Sequence, residues 1–258
     1  MKDLPPLGNN LRYFEWSNQY PPPSVWLNLE MPAMTRGISE ALPQLEEADA
    51  GILDVGVGGR KIIGLLETFG IDHRRIVGVD ISQEILTLVS NKYPSVDLRN
   101  VDISDPVSMQ KLSDRAPFQL ITAHMVLNHL NDKQLGIALS NIFELLADGG
   151  SVVGMVPYPN NPSKTQDLQD SENGYKSQEV APWGDRITYH HRSFAAYHEY
   201  FELSGFYPTC SAFDKEATTY PNRLLIVAKK DQAFKNALEN LNLSTAQIDR
   251  HNYSPRHK

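Results

Sequence analysis

The chain has 258 residues, 41% of them hydrophobic, enough to bury one full core without disulfides or a structural metal. A net charge of −7 weighs against a protein that grips nucleic acid through its phosphates, which takes a basic face. The single cysteine, Cys210, excludes an intrachain disulfide and fits a reducing compartment. The opening MKDLPPLGNN has no apolar run of the secretory kind, and no window approaches ~18 uninterrupted apolar residues. The expectation is a soluble cytoplasmic protein with no membrane and no nucleic-acid partner.

Four textures follow one another. Residues 1–32 are rich in proline and aromatics, including Tyr13, Trp16, Tyr20 and Trp26, and predict an N-terminal arm or lid. Residues 33–230 predict the main domain. Within it, the polar stretch 157–186 predicts a long loop of the lid kind. Residues 231–258 predict a polar tail.

The main domain alternates two periods. GILDV (51–55) is a short apolar run ending in glycines, and RKIIGLLETF (60–69) has helical spacing. RIVGVD (75–80), DLRNVD (97–102), FQLIT (118–122) and SVVGMV (151–156) read as further strands. QEILTLVSNK (83–92) and NDKQLGIALSNIFELLA (131–147) read as helices between them, the latter ending at the turn Asp148-Gly149-Gly150. Strands alternating with helices of this length predict βαβ units and a parallel sheet. SFAAYHEYFELSG (193–205) predicts a helix capped by Ser193, with Phe194, Tyr197, Phe201 and Leu203 near one face. FYPTCSAF (206–213) and RLLIVAKK (223–230) then read as two strands that add an antiparallel hairpin to the sheet. The fold class is thus α/β, a Rossmann-like three-layer sandwich on a mostly parallel seven-stranded sheet.

The chemistry gathers at the carboxyl ends of these strands. Asp54-Val55-Gly56-Val57-Gly58-Gly59 marks a sharp strand-to-helix turn whose glycines let a ligand approach the backbone. Asp80 ends the second strand, where a carboxylate accepts hydrogen bonds from both ribose hydroxyls of an adenosine. Asp102 ends the third, within reach of an adenine amino group, with Ile103 against the base. Either aspartate is also suited to capping the helix that follows. Together, three consecutive strand ends of this kind point to one adenosine site. A dinucleotide turn wants G-x-G-x-x-G for a pyrophosphate on the helix N-terminus, and here the third glycine position holds Lys61. Asp54 would repel that pyrophosphate but suits the cationic methionine end of S-adenosylmethionine.

At these points the sequence resembles the class I S-adenosylmethionine-dependent methyltransferases. ILDVGVGG is similar to their first motif, IVGVDIS to the second, RNVDISD to the adenine-binding step and LLADGGSVV to the turn after the long helix. The resemblance spans roughly residues 35–230. It implies S-adenosylmethionine as cofactor, with Asp54, Gly56 and Gly58 at the methionine end. By the same likeness Asp80 holds the ribose with Ile81 against the adenine, and Asp102 and Ile103 read the base. Ala123 and His124, just past the fourth strand, approach the sulfonium. Arg36, in a helix before the first strand, stands where relatives often hold the cofactor carboxylate; a solvated surface arginine is the other reading.

The acceptor side is less legible. Methyl transfer chiefly needs orientation and an acceptor lone pair free of its proton. His124 is the first candidate base. His191, from the run Tyr189-His190-His191-Arg192, is the second, because strand alternation turns only one of its two histidines inward. Met125 and Asn128 stand where metal-assisted quinone-biosynthesis relatives carry two carboxylates, so no metal is expected there, and His129 is expected to be packed. Tyr13, Trp26 and Tyr175 are expected to line an acceptor pocket beneath the arm and the loop. The implied function is metal-independent methylation of a small molecule, at oxygen ahead of nitrogen. Methylation of a protein, peptide or RNA, and cofactor binding without catalysis, stay open as alternatives.

Overall fold

The computed structural model describes residues 25–45, 51–58, 60–158, 169–171, 174–180, 186–213 and 222–241. Five parallel strands are β1 (Gly51–Val55), β2 (Ile76–Asp80), β3 (Asp97–Asn100), β4 (Phe118–His124) and β5 (Leu146–Tyr158). β9 (Phe206–Phe213) and β10 (Asn222–Lys230) complete a seven-stranded sheet in the order β3-β2-β1-β4-β5-β10-β9. β10 runs antiparallel between β5 and β9, so its first residues lie beside the last residues of β5, as in the pair Arg223 and Pro157. The predicted hairpin and mixed sheet are therefore present.

Period-two alternation sorts the strand residues into two cores. Leu53, Val77, Ile121, Val152 and Ile226 face a layer built from α5 (Asp132–Leu145) and α6 (Phe194–Leu203). Ile52, Ile76, Leu120, Val153 and Leu225 face the opposite layer of α1 (Met31–Ala41), α2 (Lys61–Thr68) and α3 (Gln83–Lys92). Between β3 and β4 lies the short α4 (Pro106–Met109). Gly37 lets α1 lie close on the sheet: a Cβ there would stand 2.7 Å from Val153 Cγ1. With helices on both faces the parallel strands bury both their sides, which is why they read as continuous apolar runs rather than alternating ones.

Several boundaries moved. The arm expected to end at residue 32 is already helical by Val25: a π-type turn, Trp26–Glu30, runs directly into α1. Part of the stretch expected as loop holds two strands, β6 (Gln169–Ser171) and β7 (Gly174–Val180), which join β8 (Arg186–Arg192), where strand was expected, in a second, antiparallel sheet. β6 and β7 lack an apolar alternation, so hydropathy could not announce them. The tail contains α7 (Gln232–Asn240), N-capped by Asp231 and without a buried residue. α5 stops at Leu145, and Asp148-Gly149-Gly150 forms an irregularity inside the pairing of β5 with β4, with Gly149 at φ 72°. β4 runs two residues beyond its predicted end, so Ala123 and His124 belong to the strand itself. On α6 the buried face is Ala196, Tyr197, Tyr200 and Phe201, while Phe194 is exposed.

Candidate functional site

The glycine turn is built by backbone. Gly56 has φ 71°, and its N–H and that of Val57 both donate to the Val79 carbonyl, at 2.7 and 3.1 Å. A Cβ on Gly56 would sit 2.3 Å from Val126 Cγ2, so the segment after β4 closes directly on the turn. Any side chain here must displace Val126 and adopt a left-handed backbone, which only glycine takes readily.

Asp54 and Asp80 flank that turn. Asp54 is 2% exposed, and Thr122 Oγ1 donates to its Oδ1 at 2.8 Å. Burial pushes its carboxyl up to about 7, the Thr122 bond opposes this, and the nearby Asp80 adds to the rise. Burial likewise pushes Asp80 up to about 6, although the backbone N–H groups of Ser82, Gly58 and Ile81 hydrogen-bond to it. In the chain alone, then, the charge on Asp54 is only partly developed near neutrality. A partly neutral Asp54 repels a pyrophosphate less than a full carboxylate would. A Cβ on Gly58 would stand 3.8 Å from Asp80 Oδ2, in the space beside the carboxylate.

Neither aspartate caps the next helix. Ser82 caps α3, accepting from the Ile85 N–H, and Asp105 caps α4. Asp80 and Asp102 instead sit at tight turns just before those helices. Asp80 Oδ1 accepts from the Ser82 N–H at 3.0 Å, and Asp102 Oδ1 accepts from both the N–H and the hydroxyl of Ser104. Asn100 donates to the carbonyls of Asp80 and Ile81, pinning the end of β2 to that of β3. Ile81 is 47% exposed, an apolar side chain open to contact, whereas Ile103 is buried and its carbonyl accepts from Asn141 of α5.

His124 closes β4 at the same end of the sheet, and its surroundings were not foreseen. Its Nε2 lies 3.2 Å from Glu30 Oε2, and the Trp26 ring meets the imidazole edge-on, centroids 5.3 Å apart. Glu30 is fully buried, and Arg223 Nε donates to its Oε1 at 2.7 Å. Lys61 Nζ, from the first residue of α2, lies 3.7 Å from Oε2 and 5.3 Å from the Trp26 ring centroid. Burial alone would raise the Glu30 carboxyl, but His124, Arg223 and Lys61 together hold it well below the usual carboxylate range. Burial also lowers His124, with Lys61 and Arg223 adding to the fall and Glu30 opposing it. Immediately after it Met125 takes φ 58°, a left-handed conformation costing a side-chain-bearing residue roughly 1–2 kcal/mol, and turns the chain toward Gly56.

The remaining expected residues are placed as follows. Trp26 packs on His124 as just described, and Ala123 is fully buried beside it in sequence. Arg36 is 63% exposed and pairs with Glu40 one turn along α1; Arg60 and Lys61 are the cations that directly follow the glycine turn. His191 is buried on β8, where burial and then neighbouring cationic groups push it down to about 4. The Tyr189 ring joins it to His129 rather than to His124, with centroids 6.2 and 5.1 Å away. Burial pushes His129 down to about 4 as well, in keeping with a packed histidine. Tyr175 stands on β7 in register with His191. Tyr13 falls outside the described residues. Glu30, Lys61 and Arg223 are the residues sequence reasoning missed.

Comparison with known proteins bears on the fold. Residues 52–150, from β1 to the glycines of β5, match the profile of the family described as "Methyltransferase domain". No curated protein matches the chain by sequence. Solved structures resemble it in fold at low identity. A S-adenosylmethionine-dependent methyltransferase from Clostridium acetobutylicum is 15% identical at TM-score 0.57, over 85% of this chain and 99% of that one. A 1,6-didemethyltoxoflavin-N1-methyltransferase from Burkholderia thailandensis, solved with its substrate and S-adenosylhomocysteine, is 18% identical at TM-score 0.57, over 87% and 89%. An amino pentose methyltransferase from Micromonospora echinaspora, bound to S-adenosylmethionine, is 17% identical at TM-score 0.55, over 86% and 97%. The chain shares its fold with these solved methyltransferases. Among the described residues, no helix is long and apolar enough to cross a membrane.

Proposed function

We propose, for a chain whose residues 52–150 match the methyltransferase-domain profile, that it transfers a methyl group from S-adenosylmethionine to a small molecule without a metal. The observation that carries this reading is the cradle at the ends of β1 and β2. Desolvation raises the carboxyl of buried Asp54 to about 7 and that of half-buried Asp80 to about 6, the latter in spite of three backbone N–H bonds. Between them lie glycines with no side chain in the space beside Asp80. A ribose diol supplies Asp80 with two O–H donors, and a cationic methionine end lets Asp54 keep its charge. Ile81, exposed beside this turn, offers the adenine an apolar face.

When bound, S-adenosylmethionine supplies an activated methyl carbon, so this chain's residues need only orient the acceptor, exclude water and take a proton. His124 and Trp26 adjoin the cradle and are the residues placed to meet an acceptor. Asp102, Ala123 and the β6–β8 sheet complete the proposed site, with His191 and Tyr175 paired on that sheet. Arg36 has little part, since Glu40 already pairs with it in solvent.

The test is methyl transfer from radiolabelled S-adenosylmethionine into a fractionated cell extract. Label in the small-molecule fraction that vanishes in Asp80→Ala supports the proposal. Label only in protein or RNA moves the function to polymer methylation, and no label with intact S-adenosylhomocysteine binding makes the chain a non-catalytic binder.

A further inference from the structure

We propose that Glu30 and His124 form a proton-accepting dyad, in which Glu30 fixes the imidazole hydrogen on Nε2, and that the methyl acceptor is accordingly a hydroxyl. The inference rests on the reading of this site as a methyl-transfer site and narrows its substrate class. Glu30 is the positioning residue; His124 is the catalytic one.

The two oxygens of the Glu30 carboxylate keep different company. Oε1 takes the Arg223 Nε–H at 2.7 Å, and Oε2 faces His124 Nε2 at 3.2 Å with Lys61 Nζ at 3.7 Å. Two cations so close to a fully buried carboxyl keep it ionised, and an ionised carboxylate has only lone pairs to offer. The hydrogen between Glu30 and His124 must then belong to Nε2, which leaves the lone pair of the neutral ring on Nδ1. The groups that face His124 come from three further elements, Glu30 of the π-type turn, Lys61 of α2 and Arg223 of β10. Of these, Glu30 alone stabilises the imidazolium that proton uptake creates, as a buried carboxylate does for a catalytic histidine elsewhere.

Such an arrangement is useful only to an acceptor that holds a proton on its nucleophilic atom. A neutral amine or an ionised carboxylate already presents a lone pair; a hydroxyl needs its proton removed as the new bond forms. As the acceptor oxygen bonds to the methyl carbon, the carbon–sulfur pair stays on sulfur, leaving S-adenosylhomocysteine, and the hydroxyl proton passes to Nδ1 of His124. The imidazolium then returns that proton to solvent. Arg223 and Lys61 keep Glu30 charged throughout. This also accounts for the burial of a glutamate in an otherwise apolar, aromatic segment. A residue serving packing alone would be better replaced there by an apolar side chain.

The experiment combines a spectroscopic and a chemical readout. In 15N-histidine-labelled protein, with the His124 signal assigned by its loss in His124→Asn, two-bond nitrogen–proton correlation reads the tautomer directly. The dyad predicts a neutral His124 protonated on Nε2, and a mixture of tautomers in Glu30→Gln. A wild-type Nδ1–H tautomer, or one that Glu30→Gln leaves unchanged, overturns the proposal. Transfer from 13C-methyl S-adenosylmethionine into cell extract then identifies the product. A methyl ether is expected; a methylamine, or a base-labile methyl ester, overturns it. Turnover should fall at least about a hundredfold in His124→Asn with S-adenosylhomocysteine binding retained, and about tenfold or more in Glu30→Gln, whose acidic limb of kcat should move to lower pH. If Glu30→Gln does not fold, the double variant Glu30→Leu/Arg223→Met keeps the test alive. It removes both buried charges, so restored folding without turnover supports the dyad, and restored turnover refutes it. Failure of the wild type to bind S-adenosylhomocysteine would instead defeat the underlying reading, so the two failures are told apart.

Discussion

Asp54 and Glu30 are both almost fully buried carboxyls at the same end of one sheet, yet they titrate in opposite directions. Asp54 is raised to about 7, with one hydroxyl donor and another carboxylate for company. Glu30 is held below the usual range by an arginine, a lysine and a histidine. Burial penalises both, so burial does not separate them; partners do. Where the chain supplies the partners, the carboxylate is a finished internal ion pair. Where it does not, the carboxyl is set to accept a partner from outside, and there the cofactor proposal has its physical basis.

The comparison breaks hardest at Glu30. Replacing it with leucine alone takes the carboxylate away from Arg223, His124 and Lys61, which should cost about 3–5 kcal/mol, whereas the Glu30→Leu/Arg223→Met pair should recover most of that loss. Urea denaturation of the three proteins checks this. If the single variant is as stable as the parent, the contacts of Glu30 with Arg223, His124 and Lys61 do not stabilise the fold.

The pH dependence sharpens the other side. Asp80 ionises at an ordinary 3.8 in the unfolded chain and near 6 when folded, so it costs fold stability progressively as pH rises from 3.8 through about 6. A ligand that needs its carboxylate reverses the preference. Affinity for S-adenosylhomocysteine should therefore be level at high pH and weaken as pH falls through 6, by about tenfold per unit below it. Asp54 adds a second, overlapping proton release below 7. Calorimetry in buffers of different ionisation enthalpy would count those protons; binding without proton release between pH 5 and 6 would contradict the assignment of Asp80.

Smaller effects test the margins. Asp102 already serves Ser104 through one oxygen, so Asp102→Ala should cost about 1 kcal/mol of ligand affinity, close to one hydrogen bond. Arg36→Ala should change neither stability nor affinity by more than about 0.5 kcal/mol, because its pair with Glu40 is solvent-exposed. A tenfold loss of S-adenosylhomocysteine binding in Arg36→Ala would restore the cofactor-carboxylate role that the sequence suggested.

What could be read from the residues follows the range of the physics behind each feature. The β1 turn was legible because Asp54, Gly56 and Gly58 are local: a sharp strand-to-helix turn needs glycine wherever it occurs. The sheet was legible because parallel strands between amphipathic helices carry their period in short windows, and the last two strands ended within a residue of expectation. Glu30 was not legible. Its partner Arg223 lies 193 residues away, on a strand whose place beside β5 only the assembled topology decides. The one local hint was a charged residue amid Trp26, Leu27, Leu29 and Met31, where an exposed position is the commoner explanation. Lys61 was seen only as the residue that spoils a dinucleotide glycine pattern. β6 and β7 were hidden because they pair through their backbones without an apolar rhythm, whereas the run around His190 and His191 was read as strand.

The most direct check of the central claim is a calorimetric titration of S-adenosylhomocysteine into the wild type and into Asp80→Ala, near neutral pH. The cradle predicts one-to-one binding by the parent and a loss of about a hundredfold or more in the variant, the worth of two hydrogen bonds to a charged acceptor. Equal affinity in the two proteins, or no binding by the parent, would contradict it.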